Sequence, residues 1–427
     1  MSTMDIITNL ESNVRGYVRS FPRVFASARG NRITTIDDEE YLDFFSGAGA
    51  LSYGHNDPKM EAALLDYISA GGVNHGLDMA TEAQATFLQT LNEVVLKPRN
   101  MDYRVQLAGP AGTLANEAAI KLARKIKGRD NIIHFTHSFH GMTIGAIAAT
   151  SNGAVRKSAG VNLPGATTVP YCDYYRDGRN TADDLDFLLS DSFSGIDKPA
   201  AIIVETVQGE GGINVASHEW LQQIERICRE HDLLLIVDDI QVGVGRTGPF
   251  FSFEPAGLKP DIITMAKSIS GMGMPLGLTL MRPELDIWEP GEHTGTFRGN
   301  NHAFVCGTVM MSEYWRDDEL EKETIRKGEY LRDRLRAIID KQPDFEAEVR
   351  GRGLIVGIAC TPAQYGNALS AECFNRGLIM ETTGEADSVL KVMPPLISTD
   401  ADIDEGLDII ERAMQAVVEN QGNSTPK

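Results

Sequence analysis

The chain has 427 residues, 42% hydrophobic and 23% charged, an ordinary globular composition with length enough for a large core. Its 40 Lys and Arg against 60 Asp and Glu leave a net charge of -20 with the basic residues scattered, so nothing marks a phosphate backbone as a partner and no nucleic-acid binding is expected. Five widely spaced cysteines without a C-x-x-C pair signal neither a disulfide framework nor a zinc cluster, and they fit a reducing compartment. Met1 to Arg15 holds no apolar run long enough for a secretory core, and the apolar runs elsewhere are strand-sized. Neither export nor a membrane span is therefore expected, and a cytoplasmic location is.

In chain order, Val24–Ala28 and Arg32–Ile36 flank Gly30 and Asn31, a hairpin signal, and Tyr41–Phe45 follows as a third strand. Asp57 as a cap and Pro58 in the first turn open a helix that runs to Ala70, with Met60, Leu64, Leu65 and Ile68 on one stripe. Helix patterns then alternate with the apolar strands Ile132–Phe135, Ala201–Val204, Leu233–Val237, Ile262–Thr264 and Leu276–Met281. That alternation predicts βαβ units and a mostly parallel sheet covered by helices, an α/β fold. Beyond a helix over Tyr314–Arg336, strands near Leu354–Cys360 and Val389–Val392 alternate with helices over Ala368–Arg376 and Ile403–Val418. The expected division is a large domain over residues 61–314 and a smaller α/β domain formed by both termini, 1–60 and 315–427.

Three stretches carry chemistry. In Gly109–Lys125, GPAGTLANEAAIKLARK, a Gly/Pro turn runs into a helix beginning near Thr113, so the N–H groups of Gly112 and Thr113 and the Thr113 hydroxyl suit a phosphate; a plain capped turn is the alternative. In LLLIVDDIQVGVGRTG an apolar strand delivers Asp238 and Asp239 at its carboxyl end, where a carboxylate meets a cationic nitrogen. Helix caps or a metal pair are the other readings, the metal disfavoured because the local sequence offers no His or further carboxylate. In PDIITMAKSISGMGMPLG, Lys267 sits among small and apolar residues, which makes an amine nucleophilic unless it snorkels to water. No G-x-G-x-x-G follows a strand, which argues against a nicotinamide enzyme. Together the phosphate cradle, the carboxylate and the amine are what pyridoxal phosphate needs, with Lys as the Schiff base and Asp on the pyridine nitrogen.

GTLANEAAIKLAR, SFHGMT (Ser138–Thr143), VETVQGEGG (Val204–Gly212), VDDIQVGVGRTG, AKSISG (Ala266–Gly271) and HTGTFRGNN (His293–Asn301) make the chain resemble, along nearly its whole length, the class III aminotransferases of the fold type I pyridoxal phosphate superfamily. SFPRVF, LSYGHN, LLIVDDIQ, FFSFE and RPELDIW bring it nearest the ectoine-biosynthetic branch. That branch moves the amino group of L-glutamate to L-aspartate 4-semialdehyde; ornithine, aminobutyrate or other diamine transaminases are the alternative. The resemblance implies that Lys267 is the Schiff-base lysine and proton shuttle, and Asp238 the partner of the ring nitrogen. It further places Gln241 near the ring hydroxyl, Phe139 on the ring face beside His140, Gly112 and Thr113 on the phosphate, and Thr296 reaching across from a second subunit. A homodimer or larger homo-oligomer follows. Phe139 as a core aromatic and Thr296 as a turn hydroxyl remain open readings. In LKVMPPL the chain has Lys391 where related enzymes carry Arg, so a substrate carboxylate would be gripped without a two-pronged fork. The resemblance pairs Lys391 with Glu210 as a switchable substrate site, against a surface ion pair. Ala111 and Ala266 also depart from the pattern, without touching the reaction.

Overall fold

The computed structural model describes residues 2–163 and 165–422. Seven short runs form the central sheet: β1 (Arg104–Gly109), β2 (Ile132–Phe135), β3 (Ala166–Val169), β4 (Ala201–Val204), β5 (Leu234–Asp238), β6 (Ile262–Met265) and β7 (Gly277–Met281). Their spatial order is β1-β7-β6-β5-β4-β2-β3. β7 runs antiparallel to both β6 and β1, and the remaining pairs are parallel, so the expected mostly parallel sheet is present with one reversed strand. β2, β4, β5, β6 and β7 are buried at every residue, because helices cover both faces and leave no solvated side that would impose alternation. β1 and β3, more polar, only partly buried and at the two sheet edges, carry no continuous apolar run that would mark them in the sequence.

The hairpin Phe25–Arg29 and Arg32–Thr35 turns at Gly30, whose φ of +58° suits glycine, and pairs with Glu40–Asp43. Leu378–Ile379 joins that sheet parallel to Glu40–Asp43, so N-terminal and C-terminal segments share one sheet. A second four-stranded sheet is built from Glu346–Arg352, Ile355–Thr361, Val389–Val392 and Glu381–Thr383, all antiparallel. Arg246, fully buried, links these parts: it donates to the carbonyls of Leu354 (2.9 Å) and Pro394 (2.6 Å) and to Ser52 Oγ (3.0 Å).

Asp57 caps the helix Pro58–Ser69 as expected, accepting from the N–H groups of Lys59 and Met60. The stripe differs: Met60 is buried, but Leu65 and Ile68 are 57% and 50% exposed within the single chain. The predicted helix Tyr314–Arg336 is two helices, Asn301–Tyr314 and Glu319–Asp340. The chain breaks at Trp315, whose φ of -128° leaves the helical region while its ring is buried and its Nε1 donates to Tyr53 Oη. Tertiary packing of that ring overrides the helical pattern.

Candidate active site

The carboxyl ends of the parallel strands converge on one edge of the sheet, where open α/β sheets bind ligands. β1 leads through Pro110 and Ala111 into the helix Gly112–Lys127, β2 leads to Phe139 and His140, and β4 to Glu205. β5 ends on Asp238, and β6 is followed by Ala266 and Lys267. The resulting cavity of about 260 Å³ is lined by Gly112, Thr113, Phe139, His140, Glu210, Asp238, Gln241 and Lys267, among others. An adjoining cavity of about 610 Å³ shares Phe139 and Glu210 with it and opens between the segments around Asn152 and Glu385.

Asp238 is held from three sides. Its Oδ2 accepts from Asn116 Nδ2 (2.8 Å) and meets His140 Nδ1 (2.7 Å), and its Oδ1 accepts from the Ile240 N–H (3.1 Å). Asn116 cannot flip, since Thr264 donates its hydroxyl to Asn116 Oδ1 (2.7 Å) while Asn116 Nδ2 also donates to the His140 carbonyl (2.7 Å). Glu205 accepts from the Phe139 N–H (2.9 Å), and burial together with the charge of Asp238 raises its pKa well above 4.5. His140, Glu205 and Asp238 thus bring ligand atoms within 4.8 Å of one another. The expectation that no His or further carboxylate lies near Asp238 is corrected here: both arrive from other strand ends, a proximity that local sequence does not contain.

Lys267 opens a short 3-10 turn with φ of +54°, a strained conformation for a residue with a Cβ. Its Nζ donates to the Ala48 carbonyl (2.8 Å), and burial lowers its pKa, Glu210 partly opposing. Gln241 Nε2 donates to the Ala48 carbonyl (2.9 Å) and to Glu210 Oε1 (3.0 Å), while its buried Oε1 has no partner. The buried His140 Nε2 is likewise unpartnered. The helix expected to begin near Thr113 starts at Gly112, and Thr113 Oγ1 shares a hydrogen bond with Thr143 Oγ1 (2.7 Å). A Cβ on Gly141 would fall on Thr113 Oγ1, so glycine keeps that cradle open. Asp239 turns away, buried against Ser252, whose N–H it accepts at 3.2 Å.

Lys391 is fully buried, which removes the surface-pair reading of Lys391 and Glu210. Its Nζ lies 2.8 Å from Glu210 Oε1 and 2.7 Å from Glu381 Oε1. Burial alone would raise the pKa of Glu210, but Lys391 and then Lys267 bring it down to about 2. Burial would lower Lys391, and the two carboxylates instead push it up. Thr296, on an exposed stretch, does not line the cavity of its own chain. The residues missed from sequence are Asn116, Glu205 and Glu381. The first two stand inside GTLANEAAIKLAR and VETVQGEGG, whereas nothing local marks Glu381.

The model of the class III aminotransferases matches residues 15–414. The chain belongs to the class III aminotransferases. It is 52% identical to the diaminobutyrate–2-oxoglutarate transaminase of Halalkalibacterium halodurans over 98% of each chain, and 50% identical to that of Marinococcus halophilus over 97% of each. Among solved structures, an ornithine aminotransferase from Toxoplasma gondii superposes with a TM-score of 0.85 at 27% identity, covering 98% of this chain and 97% of that one. The cofactor of the family is pyridoxal 5′-phosphate. The residues fit it: a helix N-terminus kept open by glycine for a phosphate, a buried carboxylate for a ring nitrogen, an unpartnered amide oxygen for a hydroxyl, and an amine of lowered pKa. Among the described residues no helix is long and apolar enough to cross a membrane.

Proposed function

We propose that this aminotransferase moves the amino group of L-glutamate to the aldehyde carbon of L-aspartate 4-semialdehyde, giving L-2,4-diaminobutyrate and 2-oxoglutarate, the first step of ectoine biosynthesis in the cytoplasm. The observation that carries the reaction type is the buried Lys267 amine sharing one small cavity with Asp238 and a helix N-terminus. The names of the relatives support the substrate pair.

When bound, pyridoxal phosphate supplies the carbon that takes the amino group and a ring that draws electrons from the carbon beside it. Gly112 and Thr113 would hold its phosphate, Phe139 would cover the ring, and Gln241 would meet the ring hydroxyl through its free Oε1. Asp238 would accept from the ring nitrogen and keep a proton there, with Asn116 and His140 fixing the carboxylate. Lys267 Nζ would take the Cα proton of glutamate, a task that its lowered pKa suits. Glu210 and Lys391 form the carboxylate site, and Thr296 would reach the phosphate held by a second copy, making the enzyme a homodimer or larger. Residues 1–60 and 315–427 are read as the small domain against 61–314. Profiling amino donors and acceptors with product identification by mass spectrometry tests the reading. Glutamate with aspartate semialdehyde should give diaminobutyrate, and a preference for ornithine or 4-aminobutyrate with the semialdehyde inert would overturn it.

A further inference from the structure

The two carboxylates on Lys391 are held in different ways. Glu381 stands directly opposite Lys391 across the antiparallel strands Glu381–Thr383 and Val389–Val392, and its side chain is 4% exposed. Its Oε2 accepts from Tyr17 Oη at 2.7 Å, and the Tyr17 ring packs on Phe45 with centroids 4.8 Å apart. Strand register holds the Glu381 backbone opposite Lys391, and the Tyr17 hydrogen bond and burial hold its carboxylate there. Glu210 instead sits in the turn of the short hairpin Val207–Gln208 and Asn214–Val215, flanked by Gly209, Gly211 and Gly212, with its side chain 31% exposed on the cavity wall. Lys391 itself does not line the cavity, and Glu210, 2.8 Å from its Nζ, joins it to the cavity wall.

On the reading above, in which a substrate carboxylate takes the place of Glu210 beside Lys391, we propose that Glu381 stays as the permanent counter-ion, so that one carboxylate replaces another with no change of charge around the ammonium. This assignment rests on glutamate being the donor. A buried ammonium stripped of every partner is strongly disfavoured, and Glu381 removes that state from the exchange. Glu381 also repels whichever carboxylate occupies the other side of Lys391. While Glu210 is present the two repulsions cancel, because one carboxylate leaves as another arrives. Without Glu210 the incoming group meets the repulsion alone. Glu381 is a positioning and charge-setting residue, not a group that touches the reacting atoms.

The probe is glutarate, a dicarboxylate with no amino group, and its Kd is measured by calorimetry on the purified holoenzyme. Glu381→Gln alone should shift that Kd by less than about threefold, whereas in a Glu210→Gln background the same change should tighten it about tenfold. Tyr17→Phe keeps the ring packing but leaves the Glu381 charge less satisfied, so in the Glu210→Gln background it should weaken glutarate about threefold. A Glu381 that merely props Lys391 in place would give the opposite sign, weaker glutarate in both backgrounds, and that result or equal shifts in both backgrounds overturns the proposal. If Glu381→Gln does not fold, Tyr17→Phe decides: no shift, or tightening, overturns it. Product analysis of the wild type with glutamate tests the donor separately, so failure there is distinguishable from failure of the charge assignment.

Discussion

Asp238→Asn isolates the carboxylate from the shape that holds it. An amide oxygen placed where Oδ2 stands keeps the contacts to Asn116 (2.8 Å) and His140 (2.7 Å), but the new NH2 then faces the Ile240 N–H that Oδ1 accepts at 3.1 Å. Donor against donor costs about 1–3 kcal/mol, inside a total stability of about 5–15 kcal/mol, so the variant should fold. Its chemistry should suffer more. Losing an opposite charge lowers the proton affinity of a ring nitrogen by about 1–3 pKa units, at about 1.4 kcal/mol each, so the half-reaction with glutamate should slow about ten- to a thousandfold. Asp239 points to Ser252 instead, so Asp239→Asn should slow the same step by less than about threefold. Stopped-flow absorbance of the bound cofactor under saturating glutamate reads both variants. A loss at Asp239 equal to or greater than that at Asp238 would refute the assignment of the two acids.

Three other outcomes are expected. Lys267→Ala should abolish transamination and the visible band of the protein-bound cofactor while leaving the thermal midpoint nearly unchanged, and retained turnover would end the proposed mechanism. Burial pushes Asp239 from its ordinary 3.8 up to about 7, so the folded chain holds a proton that the unfolded chain has released, and stability should fall as pH rises through that window. Denaturant titrations at several pH values should show the wild type losing stability relative to Asp239→Asn across it; parallel curves would reject the buried acid. Arg246→Met leaves the Leu354 and Pro394 carbonyls without their donor and Ser52 Oγ with only that of Ser268, and should cost about 3–5 kcal/mol, against which a loss below about 1 kcal/mol would count.

What could be read from the sequence divides along a physical line. The Asp57 cap, the Gly30 turn and the apolar strands are local, since each is set by residues within one turn or one strand, and the structure places them within a residue or two of expectation. The placement of Lys267 and Asp238 at strand ends was legible because an apolar strand followed by small residues is a local pattern that fixes where a side chain emerges. His140 beside Asp238 was not, because the neighbour comes from the end of a different strand and only the sheet order brings them together. The same holds for Lys391 facing Glu381, a pairing decided by hairpin register, and for Tyr17, which meets Glu381 from 364 positions away.

The same division sets which part of the site a substitution can change without disturbing the rest. Gly112, Thr113, Asp238 and Lys267 each stand at or just after the end of a strand of the central sheet, so any sequence that builds the sheet and keeps those residues also builds the cradle. Lys391, Glu381 and Tyr17 belong to the smaller sheet and the N-terminal segment, and they reach the cavity only through Glu210. A change of charge there is expected to leave those four residues in place while altering the charge that Glu210 and Lys391 present to a substrate carboxylate. Specificity can therefore move by substitutions in the smaller sheet while Lys267 and Asp238 stay fixed on the larger one.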